Sequence, residues 1–473
     1  MIDIKKAKVK FLSLAFQGAL VDYPNKEKSN EALNAIHSKQ KGFAPVETEE
    51  FLIVAPSYWN WSRLGYITKN HGQIVPDTDF CYIDVGTLDN VHQRLAEKEN
   101  LVNAKDAPSR ARKIVQFGDV LYSTVRPYLH NICVIDKNFS RTPIASTAFC
   151  VMQANESVLL NKYLFYWLLT SEFDKYSNGD PSKGALYPAI GEKDLLRGVI
   201  PLPSVDEQRL IVEKIEQTFS VLDTIDELQA KYADNLTALK SKLTDLAIRG
   251  KLTEQLPEDG TAEELYQRIQ AEKQILIKEG KIKKEKPFPE IKADEMPFEI
   301  PVTWKWIRWG ELSNQIQYGY NAPAKETGRI RMVRITDIQG NHVNWTSVPF
   351  CDIDEEDIEG YRLHPNDILF ARTGGTVGKS YLVGEVEEDA VFAGYLIRTS
   401  YSNDLNAKYM KYFMESRLYW KQLQDGTTAT AQPNCNAKTL SKMMLPLPPK
   451  LEQDRIVSRL DVLNQLIDSS SVR

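Results

Sequence analysis

The amino-acid sequence predicts an α+β protein: two α/β modules joined by long helices that pair as an antiparallel intramolecular coiled coil, in a circular repeat with a pseudo-two-fold relation. Three observations predict it. Segments recur at an offset of about 245 residues, the helix between them has the heptad period, and the two chain ends together rebuild a second copy of that helix.

The repeat is read from paired positions. Pro201-Leu202-Pro203 with Glu207-Gln208 returns as Pro446-Leu447-Pro448 with Glu452-Gln453, and Trp59-Asn60-Trp61 returns as Trp304-Lys305-Trp306. Gly118-Asp119-Val120-Leu121-Tyr122 matches Asn366-Asp367-Ile368-Leu369-Phe370, and Lys162-Tyr163 matches Lys408-Tyr409. A second register covers the N-terminus, where Leu14-Ala15-Phe16-Gln17-Gly18-Ala19-Leu20 matches Leu246-Ala247-Ile248-Arg249-Gly250-Lys251-Leu252. Met1 then corresponds to Ala233 and Arg473 to Leu228, so the two ends are expected to meet halfway along the central helix.

That helix carries apolar residues at Ile211, Ile215, Phe219, Leu222, Ile225, Leu228, Tyr232, Leu236, Leu239, Leu243 and Leu246. Their mean spacing of about 3.5 residues is that of a coiled-coil seam rather than the 3.6 of a lone amphipathic helix. Ser204 or Asp206 can cap its start and Gly250 can end it. The chain therefore divides into 1–22 (second half of a distal helix), 23–204 (first module), 205–252 (central helix), 253–448 (second module) and 449–473 (first half of the distal helix). Short β-like runs fill the modules: Phe51–Ala55, Val120–Thr124 and Ile132–Ile135 in the first, Ile330–Ile335, Ile368–Ala371 and Ser380–Val383 in the second. Each module closes with a helix, Lys162–Asp174 or Ala407–Gln424, and a polar loop.

Composition excludes several classes. The chain has 473 residues, is 42% hydrophobic and 26% charged, and has no apolar run of membrane-spanning length or signal-peptide pattern. Five scattered cysteines without a CxxC pair fit a reducing cytoplasm better than a disulfide framework or zinc site. The net charge of −5 opposes phosphate binding by the chain as a whole, but basic patches can coexist with acidic surface. The run Lys278–Pro287 reads as a solvated mixed-charge connector, with phosphate contact as the alternative.

Catalytic patterns fail on spacing. Arg372-Thr373-Gly374-Gly375-Thr376-Val377-Gly378-Lys379-Ser380 resembles a P-loop, yet Thr373 stands where the motif needs glycine, and strand-like residues follow where it needs a helix. A Gly-rich hairpin or loop against nucleic-acid backbone is the preferred reading. No Asn-Pro-Pro-aromatic or FxGxG pattern for methyl transfer is present, and the six histidines show no ligand spacing. The acidic run Asp352–Glu359 lacks a nuclease arrangement and reads as a solvated loop.

The two Pro-Leu-Pro…Glu-Gln phrases, the Leu246–Leu252 run, Ala271-Glu272-Lys273 and Trp304-Lys305-Trp306 together resemble Type I restriction-modification specificity subunits over essentially the whole chain. Asp454 departs from the pattern, standing where Arg is usual after Glu-Gln. The resemblance implies two target-recognition domains, each reading half of a bipartite double-stranded DNA site, with the helices setting the gap and docking two methyltransferase subunits. It also implies two restriction-translocase subunits. S-adenosylmethionine, ATP and Mg are then the partners' cofactors, with no catalytic site, cofactor or metal in this chain and no membrane partner.

Base readout needs polar side chains on loops held by a rigid scaffold. The first candidate loops follow equivalent strands: Ser123, Thr124, Arg126 and Tyr128, and in the second module Arg372, Thr373, Gly374 and Lys379. The second candidates precede Pro-Leu-Pro: Ser182, Lys183 and Tyr187, and Thr427, Thr428, Thr430, Gln432 and Asn434. Two other functions remain open at this point: a coiled-coil scaffold without DNA specificity, and an NTPase using the 374–380 segment.

Overall fold

The computed structural model describes residues 1–24, 31–39, 42–178, 189–386, 389–427 and 434–471. The chain forms two compact units, Ile2–Ala230 and Lys231–Arg473 together with Met1, divided within one helix, Val205–Ile248.

Each unit is α+β and has the same layers. In the first, a sheet orders Thr68–Lys69, Phe149–Ala154, Val120–Ser123 and Ile132–Val134; in the second, the order is Ser313–Tyr318, Leu396–Tyr401, Ile368–Ala371 and Ser380–Leu382. Val120–Ser123 and Ile368–Ala371 pair with the edge strands that follow them in equivalent register, Val120 with Val134 and Ile368 with Leu382. A second sheet contains a parallel pair, Phe80–Ile83 with Pro143–Ser146 and Ile330–Val333 with Ala390–Phe392. Here the units differ. Ala111–Ile114 adds an antiparallel edge in the first, whereas the acidic run of the second contains the helix Glu355–Tyr361.

The Trp-x-Trp and Pro-Leu-Pro phrases pair as a two-stranded sheet in each unit, Trp61 opposite Pro201 and Trp306 opposite Pro446. The glutamates after them are buried. Glu207 accepts from Trp59 Nε1 at 3.1 Å and Tyr58 Oη at 3.0 Å; Glu452 accepts from Trp304 Nε1 at 2.7 Å, Thr253 Oγ1 at 3.0 Å and Gln255 Nε2 at 2.7 Å. Gln208 and Gln453 repeat one another too, each accepting a backbone N–H (Leu160, Asn406) and donating to Pro203 or Pro448. Each motif thus locks the first turn of a long helix onto its module, because a buried polar group without these partners would cost about 1–3 kcal/mol.

The long helix begins where Ser204 Oγ accepts from Glu207 N and ends before Gly250, whose φ of 67° suits glycine. A Cβ there would lie 2.4 Å from Pro301; Gly18, its counterpart, has φ 73° and the same 2.4 Å distance to Pro56. The helix Ile4–Phe16 runs antiparallel to the early turns of the long helix, with Ile2 bonded to Gln229 and Lys8 to Asp223, and Leu12, Ala15 and Phe16 in one core with Ile211, Val212 and Ile215. In the second unit Lys450–Ser471 does the same against the late turns, with Asp468 on Lys240 and Ile456, Val457 and Leu460 packed with Ala247 and Ile248. Leu228 and Tyr232 remain exposed. The expected meeting of the chain ends involves Arg473, which lies outside the described residues.

Two expectations need correction. Phe51–Ala55 is not a strand: its side chains hold it, with Phe51 stacked 4.4 Å from Trp61 and Leu52, Ile53 and Ala55 packed on the core. The module-closing helices are each split, into Asn161–Leu168 and Ser171–Asn178, and into Ala407–Phe413 and Arg417–Gly426. Hydroxyls make the breaks: Thr170 Oγ1 accepts from Phe173 N, and Ser416 Oγ from Tyr419 N, capping new helix starts.

Candidate nucleic-acid interface

The candidate loops are the turns of two β-hairpins. Thr124–Asn131 joins Val120–Ser123 to Ile132–Val134, and Arg372–Lys379 joins Ile368–Ala371 to Ser380–Leu382. Below them the scaffold is matched residue for residue. Buried Asp119 accepts from Gln116 N at 2.7 Å and Asp367 from His364 N at 2.9 Å, each shaping the turn that starts its strand. Burial pushes both carboxyls above their ordinary range. Their cationic neighbours differ: His71 Nε2 at 3.1 Å from Asp119, Arg398 Nη1 at 3.7 Å from Asp367.

The hairpins follow the same backbone path. Each contains a short 3-10 turn, Pro127–Leu129 or Gly374–Thr376, and two left-handed positions. Those positions are Arg126 (φ 51°) and His130 (φ 50°) in the first module, Gly374 (φ 72°) and Gly378 (φ 90°) in the second.

The structure also brings the two kinds of candidate loop together. Val125 bridges to Ala189 and Ile190 N donates to Thr124 O at 2.9 Å; equivalently, Thr373 bridges to Asn434 and Cys435 N donates to Arg372 O at 2.9 Å. Hairpin turn and pre-Pro-Leu-Pro segment therefore share one edge in each module. Ser182, Lys183, Tyr187, Thr428, Thr430 and Gln432 lie outside the described residues.

The remaining candidates fall in distinct environments. Ser123 is buried, its hydroxyl donating to Val125 O, and Thr124 Oγ1 donates to Ala148 O. Arg126 and Tyr128 are exposed, with Val125 and Leu129 exposed beside them. Arg372 is half-buried, its guanidinium 4.8 Å from the Tyr318 ring centre, and its Nε is buried without a hydrogen-bond partner among the described residues. Gly374 faces open space, Lys379 and Asn434 are exposed, and Thr427 Oγ1 donates to Gln424 O. The strand Ser380–Leu382 directly follows the glycine-rich turn, so this segment presents no helix N-terminus to a phosphate chain and does not form a P-loop.

Four neighbours escaped the sequence reading. His130 bonds Asp174 at 2.8 Å. Around the second hairpin, Tyr318, Tyr395 and Trp420 are exposed: Tyr318 stacks under Arg372, Tyr395 O accepts from Arg372 N, and Trp420 lies beneath Gly378. Nothing local marks them, since Tyr318 and Trp420 arrive from distant elements. Only the left-handed conformation singles out His130.

Among the described residues no helix is long and apolar enough to cross a membrane, and no group of three or more acidic, His or Cys side chains is placed to hold a metal.

A family model described as Type I restriction modification DNA specificity domain matches residues 301–471. The chain is 25% identical to the Type I restriction enzyme EcoAI specificity subunit of Escherichia coli, over 98% of this chain and 90% of that one. It is 24% identical to the EcoEI specificity subunit of the same organism, over 100% and 91%. Its fold matches a chain from a solved structure concerning complex assembly and conformational transition of the type I R-M system, at TM-score 0.64 and 23% identity over 87% of this chain and 92% of that one. It also matches the HsdS subunit from Thermoanaerobacter tengcongensis, at TM-score 0.52 and 23% identity over 88% and 91%. With that model on its second half, relatives aligned nearly end to end and the fold in common, the chain is similar to Type I restriction-modification specificity subunits.

Proposed function

We propose that the chain is the non-catalytic DNA reader of a Type I restriction-modification enzyme, each module recognising one half of a bipartite double-stranded site. The observation that carries this reading is the matched pair of hairpins: one scaffold and one backbone path, with different side chains at the turns. A conserved platform with variable tips is what separate readout of two half-sites requires, because base edges are discriminated by the hydrogen-bonding and apolar groups presented to them. The residues proposed for contact are those named above on the two hairpins and their companion loops, together with Tyr318, Tyr395 and Trp420.

In this reading the domain division is the one read from the sequence. The long helices set the gap between half-sites and dock two methyltransferase subunits, which use S-adenosylmethionine. Two restriction-translocase subunits using ATP and Mg complete the enzyme, which acts on DNA in the cytoplasm, and this chain binds no cofactor. Insertion of a heptad pair near Leu228 is expected to lengthen the gap while leaving both half-sites intact.

The decisive substitution is Arg372→Ala, assayed by binding of the methyltransferase complex to duplexes varied in one half-site at a time. A loss of about 1–3 kcal/mol confined to one half-site is expected for a missing bidentate base contact. Equal loss on unrelated sequences would assign Arg372 to phosphate. No sequence-selective binding by the unsubstituted complex would leave a coiled-coil scaffold as the function.

A further inference from the structure

The run after the helix Ala262–Lys278 is anchored at both ends and exposed between them. Gly280 (φ 73°) ends the helix, and Lys281 N returns to Leu276 O. At the far end Phe288 packs on Gly310, where an added Cβ would lie 2.5 Å from its ring, and Pro289 O accepts from Arg308 Nε. Between these anchors Lys281, Lys283, Lys284 and Lys286 are all exposed. Lys281 pairs with Glu279 at 2.9 Å at the exposed end of the helix, and the one acid among the lysines, Glu285, lies near the half-buried Lys273 ammonium, which donates to the carbonyls of Gly310, Glu311 and Ser313. Lysines dominate the outer face in a chain whose net charge is −5.

This strap adjoins the candidate interface. Arg308 links it to the helix Ala437–Lys442, donating through Nη1 to Lys442 O, and Ser441 flanks the same Gly310. That helix starts beside the hairpin: Ala437 N donates to Tyr318 Oη at 3.0 Å, Cys435 N to Arg372 O, and Asn434 bridges to Thr373. Six residues span about 9 Å, two or three phosphate steps along one strand. The helix carries exposed Lys438 and Lys442 and no acid. Its counterpart in the first module, Glu192–Arg197, is neutral overall, with Glu192 paired to Lys113 and Arg197 to Asp194.

We infer that Lys281, Lys283, Lys284 and Lys286, continued by Lys438 and Lys442, form a sequence-independent binding site for the phosphates of a nucleic-acid duplex on the second module, where the helix beside the hairpin carries lysines unopposed by acids of its own, unlike Glu192–Arg197 of the first. The inference rests on the DNA-reading proposal and deepens it: the hairpin reads bases, while the strap grips the backbone beside them.

The test is binding of the full chain, with its methyltransferase partners, to a labelled random-sequence duplex and to its methylated target. Affinity is measured between about 50 and 200 mM salt. Each phosphate contact contributes about 0.9 to the slope of log affinity against log salt. A chain with Lys281, Lys283, Lys284 and Lys286 all changed to Gln should bind both duplexes more weakly by the same factor. Its slope should be shallower by roughly 2 to 4, with half-site preference unchanged. The corresponding Lys→Arg chain should keep the original slope. An unchanged slope in the Gln chain, or a loss specific to one half-site, overturns the inference while leaving the DNA-reading proposal standing. Failure of the unsubstituted complex to bind DNA at all would instead remove the proposal beneath it.

Discussion

At the two left-handed positions of its hairpin the first module places Arg126 and His130, and at the same two positions the second has Gly374 and Gly378. A side chain in this conformation costs about 1–2 kcal/mol that glycine does not. The first module therefore carries strain where it presents an arginine and an Asp174-bonded histidine. The second is relaxed there and surrounds its turn with exposed aromatics from other elements. The backbone path is set by the strand register beneath, which the two modules share; the chemistry at the tip is free to vary. Strain kept at one tip points to selection for the side chains that create it.

The largest expected effect lies in what the modules share. Glu452→Ala would take the shared acceptor from buried Trp304 and from Thr253, while Gln255 keeps Gly250 O and Thr253 O, and should destabilise the second module by about 3 kcal/mol in thermal or urea unfolding. Glu207→Ala should do comparable damage to the first, where Tyr58 and Trp59 lose their acceptor. A loss below about 0.5 kcal/mol at either would show that the helix joint is not held as described.

Opposite signs are expected at the tips. Arg126→Gly should raise stability by about 1 kcal/mol while weakening recognition of its half-site, whereas Gly374→Ala, which faces open space, should cost about that much. Gly378→Ala should cost more, because its Cβ would lie 2.2 Å from Leu423 Cδ2. If Arg126→Gly were destabilising, side-chain contacts rather than readout would account for the strained turn.

The smallest effect concerns pH. Burial raises the Asp119 carboxyl, so its charged form is disfavoured on folding. That penalty is present above the folded pKa and is relieved as pH falls through it. Asp119→Asn keeps an acceptor for Gln116 N without the charge, so the stability of the unsubstituted protein relative to this variant should rise on acidification. A constant difference across that range would mean that burial does not shift this group.

These contrasts also show what the sequence could and could not reveal. The scaffold was legible because its contacts join residues that recur together: Trp with Glu, Asp with its strand, Gly with Pro. Phe51–Ala55 misled because an apolar run reads as a strand whether ladder bonds or side-chain stacking hold it. The helix breaks at Thr170 and Ser416 were invisible because hydroxyls are tolerated within helices as well as at their caps. The candidate loops were found from the strands that end in them, but their joining through Val125–Ala189 and Thr373–Asn434 is a tertiary fact. So is the placement of Tyr318 under Arg372.

The central claim is that two copies of one scaffold carry independent readers. It is tested most directly by methylation-aware sequencing of cellular DNA after the Arg372–Lys379 turn is replaced with the equally long Thr124–Asn131 turn of the first module. Both turns start and end at equivalent strand residues, so the exchange leaves the registers beneath them unchanged. The account predicts a methylated bipartite motif altered in one half, with the other half and the gap unchanged. A motif altered in both halves or in its gap, or an unaltered motif from a folded and active complex, would contradict it.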